Sequence, residues 1–262
     1  MANSTSGESV ISRVVRILAA FSDESPALSV REVARIAGLP VSTAHRLASE
    51  LEAEALLVRD EGGRLRHGHR MWELASRGSS ASRLREAALP LMEDLLAATG
   101  KNVSLGVLEG TDVLYLERLA PDDHTVDITR VAGRLPLHGS SAGLVFMAFA
   151  ADDDRERFLS RRLPKLTPDT ITSPDKLRAL LTGARRDGYL AMQGIIVEES
   201  SGISVPIFTE GQRVIATLTL IAPRGEEELE TSVPQLKLAS RAISRRLGYE
   251  PATGRARRFS TP

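Results

Sequence analysis

A chain of 262 residues, 42 % apolar but only 4 % aromatic, is long enough for two modest domains whose cores are mostly Leu, Val, Ile and Ala. Its formal net charge of zero supplies no gross pull toward nucleic acid, though a local basic patch stays open, and the absence of cysteine excludes disulfides, thiolate metal sites and cysteine nucleophiles. No apolar run approaches the roughly 20 residues of a membrane span, and "MANSTSGESV" lacks the basic region and apolar stretch of a secretion signal, so a cytoplasmic protein with no membrane partner is expected.

Residues 1–8 read as a disordered tail. From Ser9 to Phe21, Val10, Val14, Ile17, Leu18 and Phe21 recur at helical spacing. After the break at "SDESPA", the stretch "LSVREVARIAG" carries mutually consistent signals. Ser29 and Glu32 make an S-x-x-E capping box, Leu28 and Val33 sit where a hydrophobic staple would sit, and Gly38 is placed to end the helix. Pro40 suits the first turn of the next helix, "VSTAHRLASELEAEA". Two short segments around Gly62-Gly63 in "LLVRDEGGRLRHGH" form a β-hairpin pattern. Three helices followed by a hairpin predict a winged helix-turn-helix over 9–70, with a small helical bundle as the plain alternative. A linker helix is expected over 71–82, and a domain boundary near Gly78 to Ser82.

The second half, 83–250, changes character. "NVSLGVLEG", "DVLYLERLA" and "HTVDITRVAG" read as strands, with a turn at Glu109 to Asp112; "RLPLH" could be another. "GLVFMAFA", "DDRERFLSRRL" and "SPDKLRALLTGARRDGY" read as helices, "GISVPIF" and "VIATLTLIA" as strands around "TEGQ", and "ELETSVPQLKLASRAISRRLG" as a closing helix. Strands and helices without steady β-α alternation predict an α+β fold with an antiparallel sheet. Residues 251–262 read as a disordered tail.

The second helix of the motif divides into two faces. Ala44, Leu47, Ala48, Leu51 and Ala55 share one face; Ser42, His45, Arg46 and Ser49 share the other, with Thr43 on the flank. A recognition helix needs this division, because its N-terminal residues enter the major groove, where serine and threonine bond bases or phosphates and arginine favours guanine. Arg59, Arg64 and Arg66 in the hairpin could contact backbone or minor groove, or simply be a solvated charged surface. Glu50, Glu52 and Glu54 should point away from phosphates. His67-x-His69 could suggest a metal site, but a third ligand is not nearby in the sequence; no metal ion and no cofactor is expected.

The run "LSVREVARIAGLPVSTAHRLASELEAEALLVRDEGGRLRHGHRMWELA" resembles the N-terminal domain of the isocitrate lyase regulator (IclR) family, in "GLP-STAHRL", "LEAE" and the "GG-R" wing. "DVLYLERL", "LPLHGSSAGLVFMAFA", "RRDGYL" and "SVPIF" resemble that family's effector domain, so the resemblance spans roughly Ser9 to Gly248. It implies a GAF-like α/β effector-binding domain and a DNA-binding regulator. The expected output is repression, and the expected partners are a double-stranded, palindromic operator, a small-molecule effector and a second or further copy of the chain. The first helix and the linker helix, with Trp72, are candidate dimer contacts. The family often has a basic residue where this chain has Val41, so one expected contact is left open.

"PLHGSSAG" fits G-x-S-x-G, the nucleophile elbow of serine hydrolases, with Ser141 at its centre. An α/β-hydrolase then needs an acid and a histidine further along the chain. The five histidines, His45, His67, His69, His124 and His138, all precede Ser141, which argues against catalysis. Small residues before a helix instead expose backbone N–H groups suited to a ligand. The resemblance implies that this loop lines the effector pocket, with Ser140, Ser141 and Ala142 as candidates, joined by Met192, Gly202, Thr219 and Ile221. Family members that bind small organic acids tend to hold an acidic residue, a cysteine and two serines in the last four places. The pocket expected here is therefore larger and less polar, suited to an aromatic acid or a lactone-like metabolite; the alternative is that these residues pack the core. Two other readings stand beside the regulator: an esterase-like enzyme using Ser141, and a ligand sensor whose helical domain binds protein.

Overall fold

The structure, a computed structural model, describes residues 8–77, 79–121 and 131–249. The chain divides into two compact units, Met1–Ser79 and Ser80–Pro262. Residues 1–7 of the tail expected over 1–8, the tail expected over 251–262, the boundary residue Gly78, and most of the strand expected in "HTVDITRVAG", including His124, lie outside the described residues.

The first unit holds α1 (Val10–Leu18), α2 (Val30–Ala37), α3 (Val41–Ala53), β1 (Leu57–Arg59), β2 (Leu65–His67) and α4 (His69–Ser76). The capping box at α2 is formed: the Ser29 hydroxyl accepts from the Glu32 N–H and the Glu32 carboxylate accepts from the Ser29 N–H. Leu28 and Val33, the staple pair, are both buried in the same cluster. Gly38 ends α2 with φ 62°, a left-handed conformation that costs a glycine little. Pro40 is the residue immediately before α3 rather than part of its first turn. Antiparallel β1 and β2 form the wing, and Leu28 adds a bridge to Leu65 that seats the wing on the start of α2. Ala44, Leu47, Ala48 and Leu51 of α3 are buried as expected, but Ala55 is not. The helix stops at Ala53, and Ala55 turns the chain toward β1 with φ 55°.

The second unit holds α5 (Ser80–Thr99), β3 (Asn102–Glu109), β4 (Asp112–Leu119), β5 (Arg134–Pro136), α6 (Ser141–Phe149), α7 (Asp152–Leu159), α8 (Pro174–Asp187), β6 (Leu190–Gln193), β7 (Ser200–Thr209), β8 (Arg213–Pro223) and α9 (Leu229–Arg246). The strands form one antiparallel sheet in the order β5-β4-β3-β8-β7-β6. The short strand β6, which the sequence pattern does not announce, adds an edge. Pro206 lacks an N–H for the sheet; it pairs with Thr217 of β8, beyond the part of β7 that β6 covers.

Alternation along the central strands makes two unlike faces. Val103, Leu105, Ile203, Val205, Ile207, Leu218 and Leu220 pack with Leu84, Met92, Leu236 and Ile243 of α5 and α9. The intervening residues Ser104, Gly106, Gly202, Ser204, Thr217 and Thr219 are small or hydroxylated and turn to the opposite face, where α6 lies across β7 and β8. Sheet on one side and α7 and α8 on the other enclose α6, so residues 141–148 are all buried. That explains why "GLVFMAFA" lacks a polar stripe.

Candidate nucleic-acid interface and ligand cavity

Ser42, His45, Arg46 and Ser49 are exposed on α3 opposite its buried face, and Thr43 is half-buried. Arg59, Arg64 and Arg66 are exposed on the wing. The wing loop is organised by Asp60, whose Oδ1 accepts from the N–H groups of Gly62 and Arg64 at 3.0 and 2.9 Å. All four arginines are engaged with carboxylates. Arg46 pairs with Glu50 at 2.6 Å, Arg59 with Glu52 at 2.8 Å, Arg64 with Glu32 at 3.1 Å and Arg66 with Asp60 at 3.7 Å. Arg59 thus joins the wing to the C-terminal half of α3. Arg64 joins it to α2 and also donates to the Ala27 carbonyl at 3.1 Å.

In the H-x-H pair, His67 has a structural role. The Leu18 carbonyl lies 2.9 Å from His67 Nε2, and the His67 ring packs on Phe21 with centroids 4.8 Å apart. His69 starts α4. Among the described residues no group of three or more His, Asp or Glu side chains could hold a metal ion, and no helix is long and apolar enough to cross a membrane.

In the second unit, Ser140, Ser141, Met192, Gly202, Thr219 and Ile221 line one cavity between the sheet and the start of α6. Ala142 does not reach it; it is fully buried among Val113, Leu144 and their neighbours, because the helical turn carries it to the other side of α6. Sequence reasoning missed Tyr115, Leu135 and the connection between β6 and β7, of which Gly194, Ile195, Ile196 and Ser200 at its junction with β7 complete the wall. Tyr115 was legible as the one large residue with a polar tip on an alternating strand. The connection was not, since "GIIVEE" has no pattern that distinguishes a cover from a strand.

The polar atoms of the cavity form a chain. Ser141 Oγ is 2.8 Å from Ser204 Oγ, which is 2.7 Å from Thr219 Oγ1. The Ser140 hydroxyl caps α6 by accepting from the Gly143 N–H at 3.0 Å and lies near the Tyr115 hydroxyl. Burial pushes the Tyr115 phenol above its usual range, against a smaller opposing effect of Ser140, so it stays a neutral hydroxyl. Among the described residues, no Asp, Glu, Lys, Arg or His side chain lines the cavity. A ligand there meets hydroxyls, apolar side chains and the N-terminal end of α6.

The free space amounts to about 30 Å³. That suits a water or two, whereas an aromatic ring fits a cavity of about 150 Å³. The cover over it is fastened from one short segment. Thr167 Oγ1 donates to the Gly194 carbonyl at 2.5 Å, Thr170 Oγ1 donates to the Ile195 carbonyl at 2.8 Å, and Asp169 pairs at 2.6 Å with Arg224, which donates to the Glu198 carbonyl at 3.3 Å.

The G-x-S-x-G motif has a packing explanation. Ser141 is the first residue of α6 and has no left-handed φ, so it does not sit on the strained turn of an elbow. Its hydroxyl bonds another hydroxyl rather than a histidine. His138 Nε2 lies 2.9 Å from the Pro164 carbonyl. Gly143 is needed because a Cβ there would stand 2.3 Å from the Leu137 carbonyl oxygen.

Comparison with known proteins adds to this geometry. Residues 10–61 match the family described as "IclR helix-turn-helix domain" and residues 79–245 that described as "Bacterial transcriptional regulator IclR C-terminal". HTH-type transcriptional regulator XynR of Escherichia coli is 27 % identical over 244 residues, covering 91 % of this chain and 97 % of XynR. An IclR homolog from Microbacterium hydrocarbonoxydans, solved in complex with 4-hydroxybenzoate, is 43 % identical with a TM-score of 0.86, covering 91 % of this chain and 99 % of that one. Pseudomonas aeruginosa HmgR is 28 % identical with a TM-score of 0.75, covering 90 % of this chain and 97 % of that one.

Proposed function

The chain belongs to the IclR family of bacterial transcriptional regulators, and on that premise we propose that it is a repressor whose DNA affinity is set by a small aromatic acid. It is a helix-turn-helix, DNA-binding regulator of the ligand-responsive kind. In the proposal, α3 enters the major groove and the wing follows the backbone. Two copies, as a dimer or within a tetramer, match the two half-sites of a palindromic operator, because a two-fold protein presents its recognition helices in two-fold register. The exposed apolar residues Val10, Ile11 and Val15 of α1 and Trp72 and Leu74 of α4 support those helices as contacts between copies. A cytoplasmic setting follows from work on chromosomal DNA.

One observation carries the effector reading: six residues from the start of α6 and from β6, β7 and β8 converge on a cavity that, among the described residues, no charged side chain lines, in a chain 43 % identical to a protein complexed with 4-hydroxybenzoate. A singly charged aromatic acid suits it. Its ring would take the place of the apolar contacts between Met192, Ile195 and Ile221, and its polar groups would meet the hydroxyls of Ser140, Ser141, Tyr115 and Thr219. The cover Gly194–Glu199 has to open for entry, since the closed cavity is too small for a ring. Closure around the ligand would favour one arrangement of the regulator over another and so change its DNA affinity.

Calorimetric titration of the full chain with 4-hydroxybenzoate, glyoxylate and pyruvate tests the effector. Saturable binding of the aromatic acid alone is the expected result; binding of glyoxylate or pyruvate with no response to aromatic acids refutes it. A mobility shift on the gene's own upstream region, with and without the acid, tests the regulatory reading.

A further inference from the structure

The arginines proposed to face DNA are not free to receive a phosphate. Arg46 is held by Glu50, one helical turn along the same exposed face of α3. Arg59 is held by Glu52 through two contacts, Nε to one carboxylate oxygen at 2.8 Å and NH2 to the other at 3.0 Å. That is the fork geometry with which a guanidinium also grips a phosphate. Arg59 in addition donates to the Gly63 carbonyl at 2.8 Å. A DNA phosphate approaching either arginine therefore competes with a carboxylate already in place.

We infer that Glu50 and Glu52 set the DNA affinity of this chain, acting as internal stand-ins for phosphate that Arg46 and Arg59 must leave before they can bind DNA. Random-sequence DNA offers mainly phosphate contacts, so each gain is offset by a lost ion pair and a carboxylate left near the backbone. An operator adds base contacts, which exceed that loss. The loss is common to both complexes, so the carboxylates lower both affinities by a similar factor and leave random DNA, which lacks base readout, the weaker bound. Exposed ion pairs are individually weak, so the arginines are restrained without being locked, and base contacts suffice to release them. This inference rests on the reading that α3 and the wing face DNA.

The test uses the full chain, a random-sequence duplex and the upstream-region duplex, with affinity read by fluorescence anisotropy across a salt series. Glu50→Gln and Glu52→Gln are each expected to tighten random-duplex binding about two- to five-fold. The salt dependence should steepen by about 0.9 in log-log slope per released arginine, and upstream-duplex binding should tighten by a similar factor. Any glutamate near DNA repels it, so two controls isolate the pairing. Glu61→Gln, in the wing loop and holding no arginine among the described residues, should give a smaller gain. Glu50→Gln placed in an Arg46→Ala background should give no more than Glu61→Gln does. A gain as large without Arg46 as with it overturns the inference, as does an unchanged random-duplex affinity. If Arg46→Ala and Arg59→Ala themselves leave both duplexes bound as before, the interface reading fails instead.

Discussion

Ser141 Oγ occupies the space that a side chain on Gly202 would need: a Cβ at Gly202 would lie 2.8 Å from it. The two residues come from α6 and β7, and their closeness is what lets Ser141 reach Ser204 and, through it, Thr219. Gly202 has no left-handed φ, so it is glycine for proximity and not for backbone freedom.

Gly202→Ala should therefore fold, because Ser141 can rotate its hydroxyl away, but the bond to Ser204 is then broken. A loss of about 1 kcal/mol is expected from one buried hydrogen bond, together with weaker binding of 4-hydroxybenzoate as the methyl enters the cavity. Urea unfolding and calorimetry measure both; an unchanged ligand affinity would contradict the placement of Gly202 at the ligand.

Gly143→Ala is a harsher change. The obstructing atoms are the carbonyl oxygen, Cα and carbonyl carbon of Leu137, at 2.3, 2.5 and 2.7 Å, and backbone cannot rotate aside. A loss of about 3 kcal/mol or more is expected, in the range of overpacked cores, measured as a lowered urea midpoint or as insoluble protein. A stable, soluble Gly143→Ala protein would show that α6 is not packed against that turn as described.

Thr170 tests the cover. It is buried, donates to the Ile195 carbonyl, and accepts from the N–H groups of Thr167 and Leu166 at 2.8 and 3.1 Å. Thr170→Val keeps the shape and removes these bonds, at an expected cost of about 1–3 kcal/mol. Amide exchange in Gly194–Ser200 should accelerate before that of the central strands, and 4-hydroxybenzoate should dissociate faster. Exchange rates in that segment equal to those of the unaltered chain would show that Thr170 does not hold it.

The α2 capping box predicts both a mutational and a pH effect. Ser29→Ala should cost about 1 kcal/mol in the helix-turn-helix unit. Glu32 is held below its ordinary value of 4.5, first by the Ser29 N–H and next by the Ser29 hydroxyl, with burial opposing and Arg64 and Arg35 adding to the shift. Because the folded value lies below the unfolded one, this stabilisation is complete above pH 4.5 and fades as pH falls through the folded value. Protection of α2 against amide exchange should weaken on acidification below that point, and Glu32→Gln should remove that part of the pH dependence.

Much of this was legible because it is local. The capping box, the glycine stop at Gly38 and the apolar face of α3 depend on residues within a turn or two of each other. Ala55 shows the limit: helical spacing put it on the buried face, but spacing says nothing once the helix has ended. Six cavity residues were legible only through a resemblance that carried their positions over, and Ala142 shows its limit, since adjacency to Ser141 in sequence is separation around a helix. Tyr115 left a signal in its alternating strand, but the β6–β7 connection was out of reach, because what makes it a cavity wall is the pairing of β7 and β8 with partners far along the chain.

By itself the sequence determined the elements of the first unit, the amphipathic division of α3, and the two-faced alternation of β7 and β8, since each follows from backbone periodicity and short-range hydrogen bonding. The tertiary structure decided what those elements do together. It turned a serine motif into the packed first turn of α6, because the nearest groups to Ser141 are Ser204 and Gly202 from another strand. It also set the arginines of the wing against the carboxylates of α2 and α3, a balance of charge that a net total of zero conceals, since Coulomb attraction depends on which side chains the fold brings within a few ångströms.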